Sequence, residues 1–134
     1  MPNPRYLTEN GQPQVELLKK LSLAKRTFYE NLPSFCQQNY LNLEELKSID
    51  GVFLIGSHAT KNEWHNDSSD LDLKLINSRA VPENLWRYKR IILDPILCDQ
   101  SKEKRYWIDL YFALKNYQVT SPKWDLTKYW NEDI

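Results

Sequence analysis

The sequence predicts a protein of mixed helices and strands, in the broad α/β (α+β) class, in which helices precede a small β-sheet. Apolar residues recur at three- and four-residue steps between positions 17 and 32, a period typical of an amphipathic helix. Later segments, among them residues 52–55 and 70–76, are short, rich in β-favouring residues, and either continuously apolar or alternating. Hydrophobic residues make up 41% of the chain, which favours a packed core over disorder.

The length of 134 residues fits one domain, spanning 1–134. Proline, asparagine and glycine near the start indicate an irregular lead-in at 1–12. We expect a helical region at 13–49, a core at 51–112 and a tail at 113–134.

The first helix is predicted to begin at Pro13, a residue that suits a first helical turn, and to end before Pro33. A second helical stretch follows at 34–49. Alternatively, Asn42 and Glu45 form a capping box that begins a separate short helix. The apolar stripe of the first helix consists of Leu17, Leu18, Leu21, Ala24, Phe28 and Leu32.

The run at 52–55 is bounded by Gly51 and Gly56 and predicts a strand buried on both faces. Gly56 permits a tight turn and leaves room for a ligand against the main chain. Ser57 adds a hydroxyl group, and the neighbouring backbone N–H groups suit phosphate oxygens. The turn is therefore a candidate phosphate site.

A second strand is predicted at 70–76, where successive residues alternate between the two faces of the sheet. Asp70 and Asp72 then share one face, about 7 Å apart, while Leu71, Leu73 and Leu75 face the core. Two carboxylates at this spacing repel each other unless a cation lies between them. Mg²⁺, which prefers oxygen ligands, is the cation we expect.

Further along the chain, we expect a short helix at 82–89 and a hairpin formed by strands at 91–97 and 105–112. A short helix is expected around 124–130. Asp109 lies between apolar residues of the last strand, where burying an unpaired carboxylate costs several kcal/mol. Asp109 is therefore predicted to be paired or metal-bound, and Asp94, which also lies in an apolar run, is the rival candidate.

The Gly56-Ser57 turn after one strand, followed about a dozen residues later by Ser69-Asp70-Leu71-Asp72 and then by Asp109, resembles the DNA polymerase β-like nucleotidyltransferase superfamily. The resemblance implies a nucleotidyltransferase fold, with a small mixed β-sheet and the N-terminal helices packed on one face. It makes 51–112 the catalytic core. It implies nucleotide-binding roles for Gly56, Ser57, Lys61 and Ser69, and catalytic and metal-binding roles for Asp70, Asp72 and Asp109.

The resemblance further implies transfer of a nucleoside monophosphate, AMP from ATP, onto a hydroxyl group, with two Mg²⁺ ions or alternatively Mn²⁺. The chain looks closest to the minimal nucleotidyltransferases, which commonly work with a helical HEPN partner as the antitoxin of a toxin–antitoxin pair. We therefore expect a HEPN-type toxin as the acceptor. The alternatives are a small acceptor, such as an aminoglycoside-like compound, and a catalytically degenerate fold that binds a nucleotide or a partner.

Between the two strands, His58 stands where relatives often have arginine, and its partial charge makes it a weaker phosphate ligand. His58, His65 and Asp67 also offer an alternative zinc site. Lys61 is either a phosphate contact or a solvated loop residue, and Trp64 is expected to pack over the loop.

Eighteen basic and eighteen acidic residues give a formal net charge of zero, so no global attraction to nucleic acid is expected. This balance disfavours a polymerase that holds a long template. The sequence lacks a long apolar run and a signal pattern, which predicts a cytoplasmic protein without membrane association. Cys36 and Cys98 are interpreted as reduced thiols because their spacing matches no ligand motif.

Overall fold

The computed structural model describes residues 1–39, 43–46, 49–61, 65, 69–77, 87–93, 106–113 and 124–132. Within these ranges the protein is a mixed α+β structure of helices and a five-stranded β-sheet. The helices are α1 (Val15–Glu30), α2 (Leu32–Asn39), α3 (Leu43–Leu46) and α4 (Thr127–Asn131), and the strands are β1 (Ile49–Ile55), β2 (Leu71–Asn77), β3 (Arg87–Leu93), β4 (Tyr106–Ala113) and β5 (Trp124–Asp125).

The sheet has the strand order β3-β4-β2-β1-β5 and is mixed. β1 pairs antiparallel with both β2 and the two-residue β5, and β3 pairs antiparallel with β4. β2 and β4 are parallel, and their register places Asp72 beside Asp109. The parallel pair lies at the centre of the sheet, so residues from distant parts of the sequence become neighbours there.

The core is formed by apolar residues of both the sheet and the helices. Side chains of β2 alternate between buried and half-exposed, as its sequence predicts. Leu71, Leu73 and Leu75 are buried, whereas Asp72 and Lys74 are half-exposed. Full burial of a leucine side chain stabilises the fold by roughly 1.5–3 kcal/mol. The core residues that the helices contribute are Leu17, Leu21, Ala24 and Phe28 of α1, Leu32 and Cys36 of α2, and Trp130 of α4.

The lead-in at 1–12 contains turns and isolated bridges, yet it packs against the sheet end instead of extending into solvent. Tyr6 and Leu7 are fully buried. The backbone N–H of Asn3 donates to the Ala59 carbonyl at 3.0 Å, and that of Lys61 donates to the Met1 carbonyl at 3.0 Å. The N-terminal segment therefore holds the chain that follows β1.

Three of the predicted elements differ from the structure in type or extent, and the strand predicted to be buried on both faces is buried on one, because Phe53 and Ile55 are half-exposed. Ile49 belongs to β1 instead of the second helical stretch, which is divided into α2 and α3. Residues 87–89 are strand instead of helix, because β3 pairs with β4 along all seven of its residues and this pairing outweighs the local helix signal. Residues 82–86 of the predicted helix and 94–97 of the predicted strand lie outside the described residues.

The third difference is in the tail, where Trp124 begins β5 opposite Leu54 and the helix α4 covers only Thr127–Asn131. α2 also contains Pro33, which occupies its first turn, where a missing N–H group is tolerated. Among the helices that the structure describes, none combines the length and the apolar character that a membrane span requires.

Candidate metal centre

A turn that strongly favours glycine closes β1. Gly56 has φ +77°, a left-handed conformation that other residues rarely adopt. It begins a one-turn 3₁₀ helix, Gly56–His58, in which the N–H of Ala59 donates to the Gly56 carbonyl at 3.0 Å. A Cβ atom at position 56 would overlap the carboxylate oxygen Oδ2 of Asp72. The absence of a side chain therefore lets the turn approach Asp72 directly.

The three aspartates predicted as metal ligands converge. Asp70 immediately precedes β2, Asp72 is the second residue of β2, and Asp109 lies beside Asp72 on β4. One carboxylate oxygen from each lies within 4.8 Å of those from the other two. The pairing of β2 with β4 places Asp109 beside Asp72, although the two residues are 37 positions apart in the sequence.

The burial of the cluster is graded: Asp70 and Asp72 are half-exposed, while Asp109 has only 4% of its surface exposed. Two unit charges about 4 Å apart repel by about 4 kcal/mol at the effective dielectric constant of about 20 typical near a protein surface. Three carboxylates in one place therefore favour a bound cation. The open side of the site is provided by the two half-exposed members.

The donor set fits a hard divalent cation. All donors are carboxylate oxygens, which Mg²⁺, Mn²⁺ and Ca²⁺ prefer. Oxygens on opposite sides of Mg²⁺ are about 4 Å apart, twice a bond of about 2.1 Å. Since the three oxygens already lie within 4.8 Å of one another, shifts of less than about 1 Å would bring them into contact with one ion.

The predicted nucleotide-binding residues are found near this turn and loop, and their roles stay predictions. Ser57 is half-exposed, and its carbonyl accepts a hydrogen bond from Asn3 Nδ2 at 2.9 Å. Ser69 is buried immediately before Asp70. Lys61 is exposed and lines a shallow cavity of about 390 Å³ together with Met1, Pro2, Pro4, Leu7 and Glu9.

His58 was interpreted from sequence as a loop residue, but the structure places it in the interior with none of its surface exposed. Its Nε2 atom lies 2.9 Å from Lys20 Nζ and 3.5 Å from His65 Nε2. Its ring lies 4.6 Å from that of Tyr6, between centroids. A lysine ammonium group can only donate, so Nε2 accepts and the imidazole proton resides on Nδ1.

Burial, together with the nearby charges of Lys20 and His65, lowers the pKa of His58 from its ordinary 6.5 to about 2. A hydrogen-bonding contact between the ring and the backbone of Asp70 raises the pKa and so acts in the opposite sense. Among the described residues, Nδ1 makes no hydrogen bond of standard length and angle, so this contact is a weak one. His58 is therefore neutral at physiological pH. The arginine that relatives often have at this position would carry a fixed positive charge.

The zinc alternative is disfavoured by the same contacts, because a zinc ion at Nε2 of His58 would have to displace the Lys20 ammonium group. No sequence pattern predicted the cluster formed by Tyr6, Lys20, His58 and His65, apart from the amphipathic periodicity of α1, which placed Lys20 on a helix. Asp67, Trp64, Asp94 and Cys98, for which roles were also considered, lie outside the described residues. Cys36 is a buried thiol outside any disulfide.

Comparison of the chain with protein-family models, with curated proteins and with solved structures finds no match.

Proposed function

We propose that the chain is a metal-dependent nucleotidyltransferase of the DNA polymerase β-like type, which moves AMP from ATP onto a hydroxyl acceptor. The observation that carries the proposal is the convergence of Asp70, Asp72 and Asp109 within 4.8 Å. Sequence reasoning selected these same three residues as one metal site. The left-handed Gly56, which borders Asp72 without a side chain, adds a second feature that the proposed activity requires.

The three aspartates would hold the proposed metal ions, Mg²⁺ or Mn²⁺. Such an ion, when bound, supplies positive charge to the phosphates and lowers the pKa of the attacking hydroxyl group. Asp70 and Asp72 are the half-exposed members and would face the donor nucleotide. The Gly56-Ser57 turn offers its N–H groups and a hydroxyl to the departing phosphates.

In the proposed transfer, the acceptor oxygen forms a bond to the α-phosphorus of ATP. The bond between that phosphorus and the bridging oxygen breaks, and pyrophosphate leaves with the electron pair. The acceptor proton passes to Asp109, the most buried of the three carboxylates, and from there to solvent. The products are the adenylylated acceptor and pyrophosphate.

The acceptor that we propose is a protein hydroxyl group, with a HEPN-type toxin as the partner. The resemblance to the minimal nucleotidyltransferases is its support. A small molecule with an aminoglycoside-like hydroxyl group is the second candidate acceptor. Neither long nucleic acid nor a membrane is part of the proposal, in keeping with the net charge of zero.

One observation favours a second candidate function, a degenerate scaffold that binds a nucleotide without turnover. The residue after Gly56-Ser57 is a buried, neutral histidine, so it cannot place a fixed positive charge on the triphosphate. If the turn lacks another cation, phosphate binding loses a charge-assisted hydrogen bond. The two candidates differ in whether pyrophosphate is released.

Calorimetric titration with ATP, GTP, CTP and UTP, each with Mg²⁺ and with a chelator, tests the proposal without knowledge of the acceptor. We expect ATP to bind the wild type only when metal is present. Asp70→Asn should bind at least tenfold more weakly while it keeps its fold, because one ligand is lost and repulsion among the carboxylates falls. The matched control is Asp50→Asn, an exposed aspartate of β1 outside the cluster.

Absence of ATP binding by a folded wild type would contradict a self-sufficient donor site. Metal-dependent binding without pyrophosphate release, in the presence of a HEPN-type partner protein, would favour the scaffold over the enzyme. Asp109→Asn separates the roles further: we expect it to slow pyrophosphate release more than it weakens ATP binding. Equal losses in both would show that the assigned division of roles is wrong.

A further inference from the structure

A second polar cluster begins at the residue after Ser57 and takes no part in the proposed reaction. It comprises Tyr6, Lys20, His58 and His65. Lys20 reaches it from α1 and is half-exposed, whereas the imidazole of His58 is fully buried. The presence of the His58 imidazole in the interior requires an explanation. If packing were its only role, an apolar ring of similar size could replace it.

Separate parts of the chain meet at this one ring. Tyr6 of the N-terminal segment packs against it at 4.6 Å between centroids, and Lys20 of α1 binds Nε2 at 2.9 Å. His65 approaches Nε2 at 3.5 Å, and the backbone of Asp70 faces the ring. His58 thus connects α1 and the N-terminal segment to the chain that leads into β2.

The position of the His58 ring is coupled through the backbone to the Gly56-Ser57 turn, the candidate phosphate site. Gly56, Ser57 and His58 form a single 3₁₀ turn, so a displacement of the His58 backbone also displaces the N–H groups of the turn. The N-terminal segment reinforces the same turn, since Asn3 Nδ2 donates to the Ser57 carbonyl at 2.9 Å. The Lys20 ammonium group additionally lies 5.3 Å from the Tyr6 ring centroid.

We propose that His58 is a positioning residue: its hydrogen bond with Lys20 fixes the Gly56-Ser57 turn and the backbone of Asp70 relative to each other. This inference rests on the proposed function, because the turn and Asp70 are the phosphate and metal components of that site. His58 itself touches neither substrate nor metal. It orients groups that do.

The hydrogen bond, and not the volume of the ring, is what the inference assigns to His58. His58→Phe keeps an aromatic ring but removes the acceptor that Lys20 binds. His58→Gln keeps an acceptor at a similar reach and is the conservative rescue variant. Lys20→Met removes the donor, and Lys20→Arg restores one. Lys19→Met is the matched control, because Lys19 is the exposed neighbour of Lys20 on α1.

The test is the affinity of each full-length variant for Mg²⁺–ATP and for Mn²⁺ alone. Thermal unfolding establishes first that each variant is folded. Imidazole ¹⁵N chemical shifts report whether Nε2 of His58 is the unprotonated acceptor. We expect Lys20→Met and His58→Phe to lose tenfold or more in Mg²⁺–ATP affinity, and Lys20→Arg, His58→Gln and Lys19→Met to remain within about threefold of wild type.

Unchanged Mg²⁺–ATP affinity in folded Lys20→Met would overturn the inference and leave the proposed function intact. A His58 tautomer protonated on Nε2 would also overturn it. If the wild type binds Mn²⁺ but not ATP, the donor site fails, and the inference is judged on Mn²⁺ affinity alone. A tenfold loss in Lys20→Met then supports positioning of Asp70. A wild type that binds neither ligand overturns the proposed function and the inference together.

Discussion

Two polar clusters meet at the same turn of this protein, and they differ in charge and in exposure. The aspartate cluster consists of Asp70, Asp72 and Asp109, three potential negative charges of which two are half-exposed. The histidine cluster consists of Tyr6, Lys20, His58 and His65, and it surrounds a neutral and fully buried imidazole. Gly56 borders Asp72 of the first cluster and begins the turn that contains His58 of the second.

The difference in charge bears on which cluster is suited to bind a cation. The imidazole of His58 receives a hydrogen bond from Lys20 and packs against Tyr6, so this cluster is stabilised by the protein itself. Three adjacent carboxylates repel one another, and a divalent cation relieves that repulsion. The aspartate cluster is therefore the candidate functional centre, and the histidine cluster is the support beneath it.

The largest expected effect on metal binding comes from Gly56→Ala, which alters the residue that borders Asp72 and begins the turn containing His58. Alanine at φ +77° is strained, and its Cβ would overlap Asp72 Oδ2. Each such strained residue costs about 1–3 kcal/mol, whereas the overlap can be relieved by rotation of the half-exposed Asp72 carboxylate. We expect a loss of about 1–3 kcal/mol in the free energy of unfolding by urea, and loss of metal binding measured by Mn²⁺ titration.

Gly51→Ala is the matched control for that change. Its Cβ would lie 2.9 Å from Ile76 Cβ, so it also strains the β1–β2 pair, but it approaches none of the three aspartates among its nearest neighbours. We expect it to destabilise the fold while Mn²⁺ affinity stays within about threefold of wild type. If Gly56→Ala binds Mn²⁺ as well as Gly51→Ala does, the turn does not shape the metal centre.

The next effect is a dependence of stability on pH that arises from the histidine cluster. The folded-state pKa of His58 is lowered to about 2, so below pH 6.5 the unfolded chain binds a proton that the folded chain does not. The stability of the folded state therefore falls as pH falls. Between pH 7.5 and pH 5.0 the loss from this residue is about 2 kcal/mol.

Urea unfolding at both pH values measures that loss, and His58→Gln removes it. The charged groups around the ring are Lys20, His65 and Arg5, which lower the pKa of His58. The backbone of Asp70 raises that pKa. They remain in the variant, so the difference between wild type and variant isolates His58. An equal pH dependence in both proteins would mean that His58 is not neutral in the folded state.

The smallest expected effect concerns the surface above the histidine cluster. Arg5 Nε and Glu16 Oε2 are 2.8 Å apart, but the two side chains are 48% and 56% exposed. Exposed ion pairs contribute about 0–1 kcal/mol. We expect Glu16→Gln to change the free energy of unfolding by less than about 1 kcal/mol, whereas Tyr6→Ala, which empties a buried site, costs about 3 kcal/mol or more.

Urea denaturation of both variants decides whether burial or the ion pair holds the N-terminal segment. A larger loss for Glu16→Gln than for Tyr6→Ala would reverse our assignment. Lys19→Met supplies the baseline for an exposed substitution on α1.

The aspartate cluster could be predicted from the sequence because each of its parts is encoded locally. Alternation in residues 70–76 determined the shared face of Asp70 and Asp72, and the apolar neighbours of Asp109 indicated a buried carboxylate that needs compensation. The structure adds the parallel register that joins Asp72 to Asp109. That register depends on which strands become neighbours in the sheet, which short-range patterns do not determine.

The histidine cluster could not be predicted for the opposite reason. Lys20 and His58 are 38 positions apart, and no local pattern links a lysine on a helix to a histidine after a turn. Tyr6 lies in a segment whose proline and glycine content predicts only irregular structure. The strand at Trp124 was missed similarly, because a two-residue pairing with β1 carries almost no sequence signal.

The central claim is that Asp70, Asp72 and Asp109 form a divalent metal centre, and Mn²⁺ titration followed by electron paramagnetic resonance tests it most directly. The measurement needs neither nucleotide nor acceptor. We expect the wild type to bind Mn²⁺, Mg²⁺ to compete for the same site, and Asp72→Asn to weaken binding at least tenfold, while Asp50→Asn binds as wild type does. Equal Mn²⁺ binding by wild type and Asp72→Asn, or none by a folded wild type, would contradict the claim.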